Sequence, residues 1–338
     1  MESEEQNAAS LFRMTTIFYF VTFAFQAVAA LLSAVVIIAL LKPLRAQPSG
    51  GPGGQPTYST YNLYLVHLAL VDFVYLLIQI TVEGTVISQG GILYVPQLAI
   101  MSITPYVFAN MWINSIIVYQ VLFLLKSSKY TGEITEPSLT TVHLQAGVLI
   151  VGAILSYVVL SNGVQTGWLP YKAFVYVTEA LAAVPMLFLI GVAFFIPSSL
   201  PPSDAESPND KAARGLTFFF SRVILVFLVL WIPTWLLGFF MGVQQEWVVF
   251  VHVSMLFAGA VQPILKFGII LTKPDVKKYI TDLPYICLGR SPPANATQQG
   301  GQQGTTMLGY TFSDINGNGG AIGSRSNTEQ VRRYYEHR

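Results

Sequence analysis

Apolar residues in this chain fall into long runs separated by short polar stretches. Seven runs reach about 20 residues, the length a helix needs to cross roughly 30 Å of hydrocarbon. They cover residues 15–41, 61–85, 97–125, 142–161, 172–196, 216–241 and 247–272. Barrel strands would be half as long and would alternate apolar with polar positions. The pattern therefore predicts an all-α membrane protein, a seven-transmembrane helix bundle. The second run is the most interrupted, by Asn62, His67, Asp72 and Gln79. Glu179 falls in the fifth run, Arg222 in the sixth and Lys266 in the seventh. With Asp72, these are the charges that stand clearly inside the spans. Pro96 and Pro105 both lie near the start of the third run and blur its boundary.

Between the runs the chain turns polar and Pro/Gly-broken, at Gln47–Pro56 and again at Ser198–Pro208. After Arg290 it becomes rich in Gly, Gln, Asn, Ser and Thr, a composition that predicts disorder. Lys273 to Leu283 reads as a short amphipathic helix, with Val276, Tyr279, Ile280 and Leu283 on one stripe and Lys277 and Lys278 turned to lipid headgroups. Cys287 follows at the predicted membrane surface, as a candidate for lipidation or as a free thiol. The expected organisation is a short extracellular N-terminus (1–14), the bundle (15–272), the surface helix (273–287) and a cytoplasmic tail (288–338).

Composition agrees and narrows the classes. Of 338 residues 53% are hydrophobic and 10% charged, against about 25% charged in an ordinary soluble domain. A net charge of +1 argues against a nucleic-acid partner. One cysteine excludes an intrachain disulfide. With the N-terminus outside, most Lys and Arg near span ends fall on the inner side, Lys42, Lys126, Lys129, Lys211, Lys273 and Lys277 among them, and Arg13 and Lys172 fall outside. The first run is about twice a signal-peptide core and is expected to act as an uncleaved signal-anchor. A multi-pass plasma-membrane protein is predicted. No Ser/His/Asp set, H-E-x-x-H or phosphate-binding Gly-rich loop stands in or near the spans, so an enzyme is not expected.

Several motifs carry a family resemblance. The second run holds Leu68-Ala69-Leu70-Val71-Asp72, similar to L-A-x-x-D, with Asn62 ten residues earlier. The sixth holds Phe227-x-x-x-Trp231-Ile232-Pro233, similar to F-x-x-x-W-x-P, and the seventh holds Gln262-Pro263-Ile264-Leu265-Lys266 in the place of N-P-x-x-Y. In this order, with a surface helix after the seventh span, the chain resembles the rhodopsin-like G-protein-coupled receptors over about residues 15–290. It departs from them at Leu125-Lys126-Ser127, where D-R-Y would stand, in the missing third-span cysteine, and at Lys266, where the tyrosine would be.

The resemblance implies a sodium or proton site at the bundle centre, with Asp72, Ser115 (or Asn114), Trp231 and Gln262; a structural carboxylate held by inter-helix hydrogen bonds is the plainer alternative. Lys266 follows Gln262 by about one turn and is placed to pair with Asp72 instead of a cation. Phe227 and Trp231, four residues apart, share a helix face, and Pro233 kinks that helix, so the resemblance makes them a pivot together with Pro263. Ligand-facing candidates are Phe108, Trp112, Glu179, Trp235 and His252; plain packing is the alternative for the aromatics. Lys126 and Arg222 are candidates to face a heterotrimeric G protein, or else are interfacial anchors. No other cofactor is expected. Retinal is disfavoured because Lys266 follows Pro263, whereas the opsin lysine precedes that proline. The implied function is transduction of an unidentified extracellular ligand to a G protein. A small transporter or ion-conducting bundle, and a receptor fold that does not couple, stay open.

Overall fold

The computed structural model describes residues 2–45, 60–88, 97–131, 137–199, 208–241 and 248–287. They form α1 (Glu2–Arg45), α2 (Asn62–Ser88), α3 (Gln97–Thr131), α4 (Leu139–Gln165), α5 (Tyr171–Ser199), α6 (Pro208–Met241), α7 (Val248–Ile270) and α8 (Pro274–Cys287). No strand occurs among the described residues. Segments of α1 to α6 are long and apolar enough to cross a membrane; α7 contributes a shorter apolar helix, Ser254–Ile270. Helices are what such a sequence must form, because hydrocarbon offers the backbone no hydrogen-bond partner. The predicted tail and the Gln47–Pro56 loop lie outside the described residues.

The helices outrun the apolar segments. α1 begins well before residue 15, and α6 begins at Pro208 rather than near 216. Proline is well suited to the first helical position, and the Ala-rich stretch after it favours helix. Part of the predicted Ser198–Pro208 linker is therefore helical. Ser138 caps α4, its hydroxyl accepting from the Thr141 N–H at 3.1 Å. At the other end Gly167 takes φ +79°, the left-handed turn that closes a helix.

α3 is the central helix: 67% of its span window is buried, against 17% for α4. Around it two apolar cores stack along the bundle axis. One gathers Tyr75, Leu76, Met111, Phe227, Trp231 and Leu256. The other, nearer α8, gathers Leu40, Tyr64, Leu65, Ile117, Phe220 and Ile270. Between them in sequence, on α2, α3 and α7, lie the buried polar residues Asp72, Asn110, Asn114, Gln262 and Lys266. A polar layer thus divides the core. α8 seals the lower end: Val276 is fully buried, Tyr279 and Ile280 pack on the same core, and Lys277 and Lys278 stay exposed, following the predicted stripe.

One close approach between helices depends on a missing side chain. A Cβ at Gly259 of α7 would lie 2.8 Å from Cε1 and 3.0 Å from the hydroxyl of the buried Tyr75 on α2. Gly268, on the same helix, faces open space. Gly259→Ala is expected to destabilise the fold by about 1–3 kcal/mol through overpacking, whereas Gly268→Ala changes stability by less than about 0.5 kcal/mol. Thermal unfolding of the two variants in the same detergent checks the contrast.

Candidate functional site

The polar layer is built around an ion pair. Lys266 Nζ lies 2.5 Å from Asp72 Oδ2, and both side chains are almost completely buried. The other carboxylate oxygen, Oδ1, accepts from the Tyr106 hydroxyl at 3.1 Å and from Asn110 Nδ2 at 3.4 Å. Asn110 Oδ1 in turn accepts from Lys266 Nζ at 3.3 Å and from Gln262 Nε2 at 3.2 Å. Gln262 Oε1 takes the indole N–H of Trp231 at 2.5 Å. One connected set of donors and acceptors therefore joins α2, α3, α6 and α7. An ion pair this deep offsets its desolvation only when the remaining lone pairs and protons are also met, and Tyr106, Asn110 and Gln262 do that here.

Aromatic rings extend the layer. Tyr106 stacks on Tyr75 with centroids 3.9 Å apart and planes 10° apart, and meets Trp231 edge-on at 5.9 Å. Phe227 lies 6.3 Å from Trp231 on the same face of α6. Pro233, two residues beyond Trp231, lies on an exposed face of α6. It cannot donate to the carbonyl one turn back, at Val229, so the ladder is open on that side.

The arrangement also tests the expected sodium. Among the described residues every polar group bonded to the Asp72 oxygens is a donor, and the Lys266 ammonium already supplies the positive charge. These residues do not fit a sodium ion at Asp72. A cavity of about 20 Å³ adjoins the pair, lined by Ser33, Leu68, Val223, Pro263 and Phe267 with Asp72 and Lys266; that is room for one water. Pro263 belongs to its wall. No group of three or more His, Cys, Asp or Glu able to hold a metal occurs among the described residues.

Other predicted residues fall elsewhere. The Ser115 hydroxyl donates to the Met111 carbonyl at 2.9 Å within α3, and Asn110 is the α3 amide that reaches Asp72. Asn114 likewise donates to the Asn110 carbonyl at 2.8 Å. Phe108 and Trp112 precede the midpoint of the 35-residue α3 and lie in the half away from α8. That helix starts at Gln97 and runs through Pro105, which puts residue 112 about 22 Å along it, past the Asp72 contacts of Tyr106 and Asn110. Phe108 is buried in the upper core and Trp112 packs against it. Glu179 is half-buried on α5, with Oε2 enclosed and no hydrogen-bond partner. Trp235 is half-buried on α6, beside the upper core. The side chains of His252 and Cys287 lie outside the described residues.

Lys126 is exposed near the end of α3. Arg222 is exposed on α6 while Phe219, Phe220 and Val223 are buried in the core nearer α8. The basic group that does reach across helices near α8 is Lys273. Its ammonium donates to Asn62 Oδ1 on α2 and lies 5.6 Å over the ring of Phe219 on α6.

Sequence reasoning missed three contributors. Tyr106 and Asn110 are four apart and continue to Asn114, a polar stripe at helical spacing on α3. Glu83 follows Asp72 by eleven residues, three turns of α2, and is 1% exposed. No protein-family model matches the chain, and no curated protein matches it significantly.

Removing one partner of the ion pair strands the other. Asp72→Asn and Lys266→Met are each expected to cost about 3–5 kcal/mol, and the double variant less than the sum. A double-mutant cycle on thermal unfolding reads the coupling directly.

Proposed function

We propose that this chain is a divergent rhodopsin-like receptor, a seven-span plasma-membrane protein that passes an extracellular ligand signal to a heterotrimeric G protein. The observation that carries the proposal is the hydrogen-bonded path from the Asp72–Lys266 pair through Gln262 to Trp231. It ties α7 to Trp231, two residues before Pro233 on α6. The motif resemblance supports the same assignment of roles.

In this reading a ligand enters between the outer ends of the spans, where Glu179 offers an enclosed carboxylate oxygen to an amine. Binding shifts the population toward a second arrangement for which the ligand has higher affinity. Trp231 and Phe227 turn at the Pro233 break, and α6 swings at its cytoplasmic end. The Lys273 contact with Phe219 is one that this swing would have to break, and such contacts are individually weak. Lys266 does internally what a bound cation would otherwise do at Asp72.

Purified protein in lipid vesicles is expected to raise nucleotide exchange on at least one member of a panel of Gα subunits. Lys266→Met should change its basal rate several-fold, because the pair biases the two arrangements. No exchange with any subunit, together with measurable ion flux, would replace the receptor with an ion-conducting bundle. No exchange and no flux would leave a receptor fold that does not couple.

A further inference from the structure

Glu83 is a buried carboxylate that the central cluster does not use. Its oxygens face α1: Gln26 Nε2 donates to Oε1 at 2.7 Å, and Thr22 Oγ1 lies 3.1 Å from Oε2. Thr22, Gln26 and Glu83 are at most 1% exposed. No cationic side chain among the described residues acts on Glu83; its titratable neighbours are Tyr19 on α1 and Tyr75 on α2, with Tyr106 of α3 stacked behind Tyr75. Asp72, on the same face of α2, is neutralised by Lys266. Glu83 has no such partner.

Two further observations show that this seam is short of hydrogen or positive charge. Thr22 owns a single hydroxyl hydrogen, and the Phe18 and Tyr19 carbonyls lie at 3.1 Å, as near as Glu83. A threonine within a helix commonly gives that hydrogen to the preceding turn. Thr22 Oγ1 and Glu83 Oε2 then face each other lone pair to lone pair. Independently, Gln26 Oε1, on a side chain with no exposure, has no hydrogen-bond partner. Among the described residues the Glu83 oxygens thus meet one amide and one contested hydroxyl but no cation, where an unpaired buried charge is strongly disfavoured.

We propose that Glu83, Thr22 and Gln26 form a binding site for a small monovalent cation, a proton or sodium, in the seam between α1 and α2. A proton sits on Oε2 and is donated to Thr22 Oγ1, which frees the threonine hydrogen for its own helix. Sodium takes oxygens from Glu83, Thr22 and, once the Gln26 amide is turned over, its Oε1. That amide's orientation is set by its partners and reverses without other change. The site joins α1 to α2 more than two turns from the Asp72–Lys266 pair, and it stands whether or not the chain couples to a G protein.

Infrared spectroscopy and thermal unfolding of the full chain in lipid nanodiscs test the site, with sodium exchanged for N-methylglucamine at constant ionic strength. A protonated-carboxyl stretch that vanishes in Glu83→Gln and shifts in Thr22→Val establishes the proton. Sodium-dependent stabilisation at neutral pH, lost in Glu83→Gln and weakened about tenfold in Thr22→Val as one contact to a charged group is removed, establishes the metal ion. If Glu83→Gln does not fold, the Thr22→Val shift in either measurement decides. Absence of both signals in the parent protein, or signals that neither variant moves, overturns the proposal.

Discussion

Two opposite charges lie where neither survives alone. Asp72 and Lys266 meet in the middle of the packed helices, and burial of either without its partner would cost more than most single contacts supply. Nearly everything around them follows from that constraint. Tyr106 and Asn110 complete the carboxylate, Asn110 receives the ammonium's second hydrogen bond, and Gln262 closes the set onto Trp231. Four helices are fixed in register by groups that cannot exchange their partners for water. The apolar cores above and below are then free to pack with ordinary side chains.

The arrangement also divides labour along α2. At the level of Asp72 the helix is bound to α3 and α7 through internal charge. Three turns away it is bound to α1 through an acid whose partners are all neutral. Near α8, Asn62 ties the start of the helix to Lys273. The second helix is therefore the one on which the polar contacts of the bundle are threaded. It reaches α4 as well: the Tyr64 hydroxyl donates to Gln145 Oε1 at 2.7 Å, and His67 Nε2 and His143 Nδ1 lie 3.1 Å apart.

Much of this was legible before any coordinates, and the failures have physical causes. Long apolar runs marked the helices because the length needed to cross hydrocarbon leaves few alternatives. Proximity of Asp72, Gln262, Trp231 and Lys266 followed from motif order. The helices outrun these runs because apolarity marks where lipid begins, whereas Pro208 marks where a helix begins. Spacing alone does not say which of several polar residues on a helix bonds its own backbone, as Ser115 does, and which reaches another helix, as Asn110 does. Glu83 was passed over near the end of a run, where a carboxylate is usually wet; only the Thr22 and Gln26 side chains of another helix make it a buried one.

Gly259 leaves a notch in α7 that fits the ring of Tyr75. Its neighbours Ala258 and Ala260 are both buried and both carry the methyl that the notch lacks. Turning α7 about its own axis would drive one of those methyls toward the ring, so the notch works as a keyway. Sliding along the axis is similarly limited, since the ring would ride onto the next turn. α7 is thereby left as the stationary post of the bundle, and rearrangement near Trp231 falls to α6, the helix that Pro233 has already loosened.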